Sequence, residues 1–172
     1  MRRILLVVAF AAVGAACSVR DTLPAPTCGP DSSIIIVAQS VPTASYVPCL
    51  DELPAGWMVS TVEVNQDHSV VTLDSDRAGQ SAATLRFERT CAIGAVAPTD
   101  RPDIARRLVV DRSASSFSAQ SYYGFPGGCV TLLFDFDRGA PAAESRALAE
   151  SLVLLSREEL NEDIRQFVGE DV

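Results

Sequence analysis

The apolar residues of this chain change period once along its length, and that change sets the fold class. In residues 82–89, Ala83, Leu85 and Phe87 point one way while Thr84, Arg86 and Glu88 point the other. Val130, Leu132, Phe134 and Phe136 repeat the pattern in residues 129–136. Alternation of this kind marks strands with one buried face. Beyond Pro141 the spacing becomes helical, through Leu148, Leu152 and Leu155 and then through Leu160, Ile164 and Phe167. Pro141 suits a first helical position, and Gly169 suits a helix end. Ser156-Arg157-Glu158-Glu159 is a capping box with Leu155 and Leu160 placed as its hydrophobic staple. The sequence therefore predicts two consecutive C-terminal helices meeting near Ser156.

Weaker signals fill in the rest. The β-branched run 33–38 (SIIIVA) reads as a buried strand, and 49–53 as a short helical turn ended by Pro54. Residues 57–64 and 69–73 read as the arms of a hairpin, with 105–110 and 117–123 as further strands. Residues 74–81 and 92–102 read as loops, and Pro126-Gly127-Gly128 as a turn. Strands first and helices last predict an α+β fold: an antiparallel sheet with the two helices packed on one face.

The N-terminus has a different character. Arg2-Arg3, an apolar run over residues 4–13 and the small residues Gly14-Ala15-Ala16 have the layout of a secretory signal peptide. The run is shorter than the roughly 20 residues that span a bilayer. Gly14-Ala15-Ala16-Cys17 resembles the lipobox of bacterial lipoproteins, in which the cysteine is acylated and becomes the new N-terminus. Gly14 departs from that pattern, which prefers an aliphatic residue there. Residues 18–27 (SVRDTLPAPT) read as a tether reaching at most about 35 Å. The expected organisation is a signal peptide over 1–16, a lipidated N-terminus and tether over 17–27, and one folded domain over 28–172.

Cysteine arithmetic bears on the same point. The five cysteines are Cys17, Cys28, Cys49, Cys91 and Cys129. An odd count in an exported chain leaves one thiol over. Lipid on Cys17 leaves four, which permit three connectivities. The pairing 28–49 with 91–129 is favoured, because Cys28 and Cys49 flank the first expected strand while Cys91 ends one strand and Cys129 begins another. No Cys-x-x-Cys pair is present, and an oxidising compartment favours disulfides over zinc. No metal or cofactor is expected.

Net charge is −8, and every basic residue is Arg. An acidic surface is repelled by phosphate backbones, so nucleic acid is not an expected partner. The candidate chemistry is thin. Asp74-Ser75-Asp76-Arg77-Ala78-Gly79 begins like a calcium loop, but Ala78 and Leu85 stand where oxygen ligands belong. Asp135 and Asp137 form an acid pair that reads as solvated. His68, the only histidine, falls in an expected turn and lacks the orienting acid and nucleophile of a triad. Trp57, Tyr122, Tyr123 and Phe125 could line a pocket or pack a core, and packing is the favoured reading. Arg106-Arg107 could meet an anionic partner or protect a strand edge.

The segments VPTASYVPC, LPAGW, TLDSDRAG and FPGGCV together resemble a family of uncharacterised exported proteins from actinobacteria, over much of residues 41–136. The resemblance implies export and paired cysteines, and carries no activity with it. The functional expectation is a lipid-anchored binding or accessory module on the outer face of the cytoplasmic membrane, held through Cys17. Its partner would be an envelope protein or a small ligand. The competing expectations are a secreted domain and a cell-envelope hydrolase using Asp74, Asp76, Asp135 or Asp137.

Overall fold

Six strands form one antiparallel sheet: β2 (Trp57–Val64), β3 (His68–Ser75), β4 (Gly79–Glu88), β5 (Ala105–Arg112), β6 (Phe117–Phe125) and β7 (Gly128–Phe136). The computed structural model describes residues 24–29, 33–92, 94–95, 97, 99–112, 117–136 and 142–168. Cys17, Asp137, Pro141 and Gly169 lie outside these residues. The strand order is β2-β3-β4-β7-β6-β5, two three-stranded meanders joined where β4 pairs with β7. A disulfide between Cys91 and Cys129 closes the end of that seam, beside the Glu88–Cys129 pair.

The alternating residues fill one face. Val71, Leu73, Leu85, Phe87, Val130, Leu132, Phe134 and Phe136 are all buried there. Full burial of each such side chain is worth roughly 1.5–3 kcal/mol, so this face dominates the core. Phe136 stacks on Phe117 at 5.0 Å and meets Phe134 edge-on at 5.8 Å. The fold is α+β, as the change of period implies.

A second layer covers that face. It comprises α1 (Ile34–Ser40), the ribbon of β1 (Tyr46–Leu50) and β8 (Leu152–Ser156), and the helices α2 (Ala142–Ser151) and α3 (Arg157–Val168). The segment expected as a strand at 33–38 is instead helical. Ile34, Val37, Ala38 and Val41 are buried at helical spacing, while Ile36 is exposed. A short β-branched run carries no period that separates strand from buried helix, and tertiary burial decides. The helical turn expected at 49–53 is not formed: Cys49 and Leu50 end β1, and residues 51–53 follow it as irregular chain. Pro48 is tolerated because the ribbon is narrow; Leu50 meets Thr27 on its far side through a single bridge. Both C-terminal helices are present, but the five residues of β8 separate them. Leu152 and Leu155, assigned to a helix by their spacing, pair with Leu50 and Val47 in β1. Phe167, expected on the apolar stripe, is exposed.

The second disulfide joins Cys28 to Cys49 and ties the segment before α1 to the ribbon. At the opposite end of the ribbon, the β6–β7 turn docks on the chain after α1. Thr43 Oγ1 donates to the Gly127 carbonyl at 2.8 Å, and the Ser45 amide to the Pro126 carbonyl at 2.9 Å. Gly127 has φ +74°, and a Cβ there would lie 1.9 Å from the Thr43 carbonyl oxygen. Glycine is required on both counts.

Candidate functional site

Among the described residues, the covering layer stops short of the β5 edge. On the face that β5 shares with the core, Leu108 and Val110 remain 56% and 43% exposed, whereas Ala119 beside Val110 on β6 is buried. A groove of about 410 Å³ runs between this edge and α2. Its floor is Leu108, Val110, Ala119 and Phe134; its helical wall includes Ser145, Arg146 and Glu150. Arg106 and Tyr123 also line it, with the Arg106 guanidinium 5.4 Å from the centre of the Tyr123 ring. The groove thus combines an apolar floor with cationic and aromatic groups, the composition of a binding surface.

The position of α2 sets its width. Glu144, in the first turn of α2, accepts a hydrogen bond from Arg77 Nη1 at 2.8 Å and one from Trp57 Nε1 at 3.3 Å. The Glu144 side chain is only 10% exposed and Arg77 is mostly solvated. The hydrogen bond and charge of Glu144 raise the Arg77 pKa. Leu148, one turn along, is fully buried. Together these contacts fix α2 on the sheet, with Ala142, Ser145, Arg146, Ala149 and Glu150 along its length against the groove.

A second polar cluster joins the loop before β5 to the ribbon. The Tyr46 hydroxyl donates to the Asp103 carboxylate. Arg101 lies 5.6 Å from the Tyr46 ring centre and donates to the Leu154 carbonyl at 3.0 Å. The Asp103 hydrogen bond is the main reason that the Tyr46 pKa is raised. Every member serves a contact between elements, which marks the cluster as a clasp.

The aromatic set proposed from sequence is not brought together. Trp57 is core, 6.1 Å from Phe136. Phe125 is buried against Tyr46. Tyr122 bonds Gln120 on the outer face of the sheet, and Tyr123 alone of the four lines the groove. Arg106 reaches the groove; Arg107 lies on the opposite face. The carboxylates are scattered as well. Asp74 accepts the Ser81 amide at 2.7 Å, which is a turn contact. Asp76 packs near Gly56 in the turn before β2. Asp135 is exposed on the outer face of β7, with β4 between it and the strand of Asp74. His68 opens β3, about 20 Å of extended chain from Asp74. It belongs to the strand rather than the turn, and its ring contacts the Asn65 side chain at 3.3 Å.

Leu108, Val110, Arg146 and the Glu144–Arg77–Trp57 contact are the features that sequence reading missed. The only available signal was the weak strand at 105–110 with three consecutive apolar residues, 108–110.

No protein-family model and no curated protein matches the chain. A crystal structure from Bacteroides thetaiotaomicron VPI-5482 is similar over 67% of this chain and 47% of its own, at 10% identity and a TM-score of 0.35. The chain thus spans about half the length of that protein. A likeness at this level carries no argument about function.

Proposed function

We propose that the chain is an exported cell-envelope protein, lipid-anchored through Cys17 at the outer face of the cytoplasmic membrane, that acts as a binding or accessory module. The groove between α2 and the β5–β6 edge is its binding surface. The observation that carries this reading is the exposure of Leu108 and Val110 on the face where the rest of the sheet is covered. The layout of residues 1–17 supports export and acylation. The two disulfides are compatible with an oxidising compartment. A single acyl chain binds membranes only marginally, so stable anchoring implies at least two. The hydrolase alternative draws on Asp74, Asp76, Asp135 or Asp137; the contacts of Asp74 and Asp76 are those of turns, and Asp137 lies outside the described residues.

Native mass spectrometry on the full chain, extracted gently from its own membrane, tests both halves. The expected mass includes acyl groups on Cys17, together with a retained ligand that Leu108→Glu releases. A mass without acyl groups would overturn the anchor. An acylated protein whose bound material is indifferent to Leu108→Glu would overturn the groove.

A further inference from the structure

We infer that the groove along α2 takes a single-chain amphiphile with one negative charge, a medium-chain carboxylate, whose acid group lies at the Arg106 end and whose apolar chain runs toward Phe117. The inference rests on the groove being a binding surface and names the chemistry that it binds.

The groove has two unlike ends. Leu152, which directly follows α2, lines an adjoining hollow together with Arg106 and Tyr123. Glu144, in the first turn of α2, bonds Trp57, whose ring lies 6.1 Å from that of Phe136, the cross-strand partner of Phe117. The helix therefore runs along the groove from the Phe117 end to the Arg106 end. Near its start the lining is Ala142 on the helix and Val110, Phe117, Ala119 and Phe134 on the sheet. Ser145 adds no free donor there, because its hydroxyl bonds the Ala142 carbonyl at 2.8 Å. Toward its finish the lining is Arg106, Ser121, Tyr123, Arg146 and Glu150. A lining that is apolar at one end and charged at the other matches a ligand of the same build.

The charged end favours an anion. The Arg106 guanidinium lies 5.4 Å from the centre of the Tyr123 ring, a cation–π contact that holds the side chain at the groove. Such a contact consumes none of the five N–H donors of a guanidinium. Among the described residues, neither Arg106 nor Arg146 forms a salt bridge. Ser121, in the floor, is 1% exposed, and its hydroxyl makes no hydrogen bond among the described residues. An unpartnered hydroxyl in a floor is costly, and a ligand oxygen satisfies it.

Glu150 stands one turn beyond Arg146 on the same wall. Two guanidinium groups against one carboxylate leave this end with a positive excess of one, on a chain whose net charge is −8. Asp100 and Arg101, in the adjoining hollow, offset each other. A monoanion balances the excess; a neutral ligand leaves it, and a dianion overshoots it. Size limits the rest of the molecule. About 410 Å³ is near the lower end of the roughly 300–1,000 Å³ of small-molecule sites, room for one chain and not for a two-chain lipid. From Phe117 to Tyr123 the floor extends about 20 Å, which suits an extended chain.

The test is calorimetric titration of the full chain carrying Cys17→Ser, so that no acyl group of its own competes. The probes are dodecanoate, dodecanol and dodecylamine, each below the concentration at which it aggregates. Saturable binding of dodecanoate is expected, roughly tenfold tighter than that of dodecanol or dodecylamine. Arg106→Gln and Arg146→Gln should each weaken dodecanoate roughly threefold to tenfold and leave dodecanol unchanged. Arg146→Glu should reverse the preference in favour of dodecylamine, and Leu108→Glu should abolish binding of all three. Both arginines are exposed, so an unchanged urea midpoint is expected for their variants. Dodecanol bound as tightly as dodecanoate, with Leu108→Glu abolishing both, would overturn the charged head group while leaving the groove as the binding surface. No binding of dodecanoate, or binding indifferent to both arginines, would also overturn the proposal. The groove itself fails only if material retained by the membrane-extracted protein ignores Leu108→Glu.

Discussion

The guanidinium of Arg157 does for α1 what a glycine turn does for most helices. It donates to the carbonyls of Ala38 at 2.8 Å and Val41 at 2.7 Å, and also to that of Ala44. The first two are carbonyls that the end of α1 leaves open, and the third belongs to the loop beyond it. Arg157 also starts α3, and its own amide bonds the Ser45 carbonyl at 3.0 Å. One residue therefore fixes the C-terminal helix against the loop after the first one. Burial lowers its pKa, yet an arginine stays charged across the accessible range. Hydrogen bonds to charged groups contribute about 1.5–3 kcal/mol each and are not additive, so Arg157→Ala should cost about 3 kcal/mol in urea denaturation. Arg157→Lys should recover only part of this, because a compact ammonium cannot reach three separated carbonyls with a planar fork. Glu159 offers a pH readout at the same scale. The Ser156 amide and hydroxyl donate to its carboxylate at 2.9 and 2.8 Å and lower its pKa. A lowered folded pKa means stability that is present above the unfolded value of about 4.3 and is lost as pH falls through the folded value. Glu159→Gln should flatten that part of the stability profile measured by chemical denaturation between neutral and acid pH. An unchanged profile would mean that the box is too solvated to count.

At the scale of elements, the period of the apolar residues was a reliable guide wherever one face met the core and the other met water. β2 begins and ends where the sequence places it, and β4 and β7 bury the residues that alternation selects. Reading failed where segments were short and buried on more than one side. The run 33–38 reads as a strand by its β-branched residues, although the buried positions of the helix it opens lie three and four apart. Leu152 and Leu155 continue a helical spacing by coincidence; five residues suffice to cross the ribbon as a strand. The favoured disulfide pairing of the sequence is the one present, and the two bonds do different work. Cys28–Cys49 closes a separation of 21 residues and Cys91–Cys129 one of 38. In the chain-entropy account these loops are worth roughly 3 and roughly 4 kcal/mol. The second also closes the seam between the two meanders. The double replacement Cys91→Ala/Cys129→Ala should therefore lower unfolding stability by roughly 4 kcal/mol, and by more than Cys28→Ala/Cys49→Ala. Equal losses in parallel urea titrations would show that the seam is held by β4–β7 pairing alone.

At the scale of the whole molecule, the groove was illegible in sequence because it is a difference between two layers. Leu108 and Val110 look like any half-buried strand pair; their exposure follows from where α2 ends up. That placement rests on Glu144 meeting Arg77 and Trp57, which stand 67 and 87 residues away in the chain. No local pattern encodes such a contact. Residue type does speak to the address, through the odd cysteine. Four of the five cysteines are paired with one another. Cys17 then has two fates with different chemistry. Transfer of a diacylglyceryl group to the sulfur forms a thioether and consumes the thiol; secretion without lipid leaves it titratable. Thiol titration of the denatured, unreduced protein from its native membrane should find no free thiol per chain. Cys17→Ser should shift the protein from the membrane to the medium and leave both disulfides intact, as judged by the same titration before and after reduction. One reactive thiol per wild-type chain, with the protein already in the medium, would refute the anchor while leaving the fold and the groove untouched. The reverse result, membrane retention of Cys17→Ser, would move the anchor elsewhere in the chain.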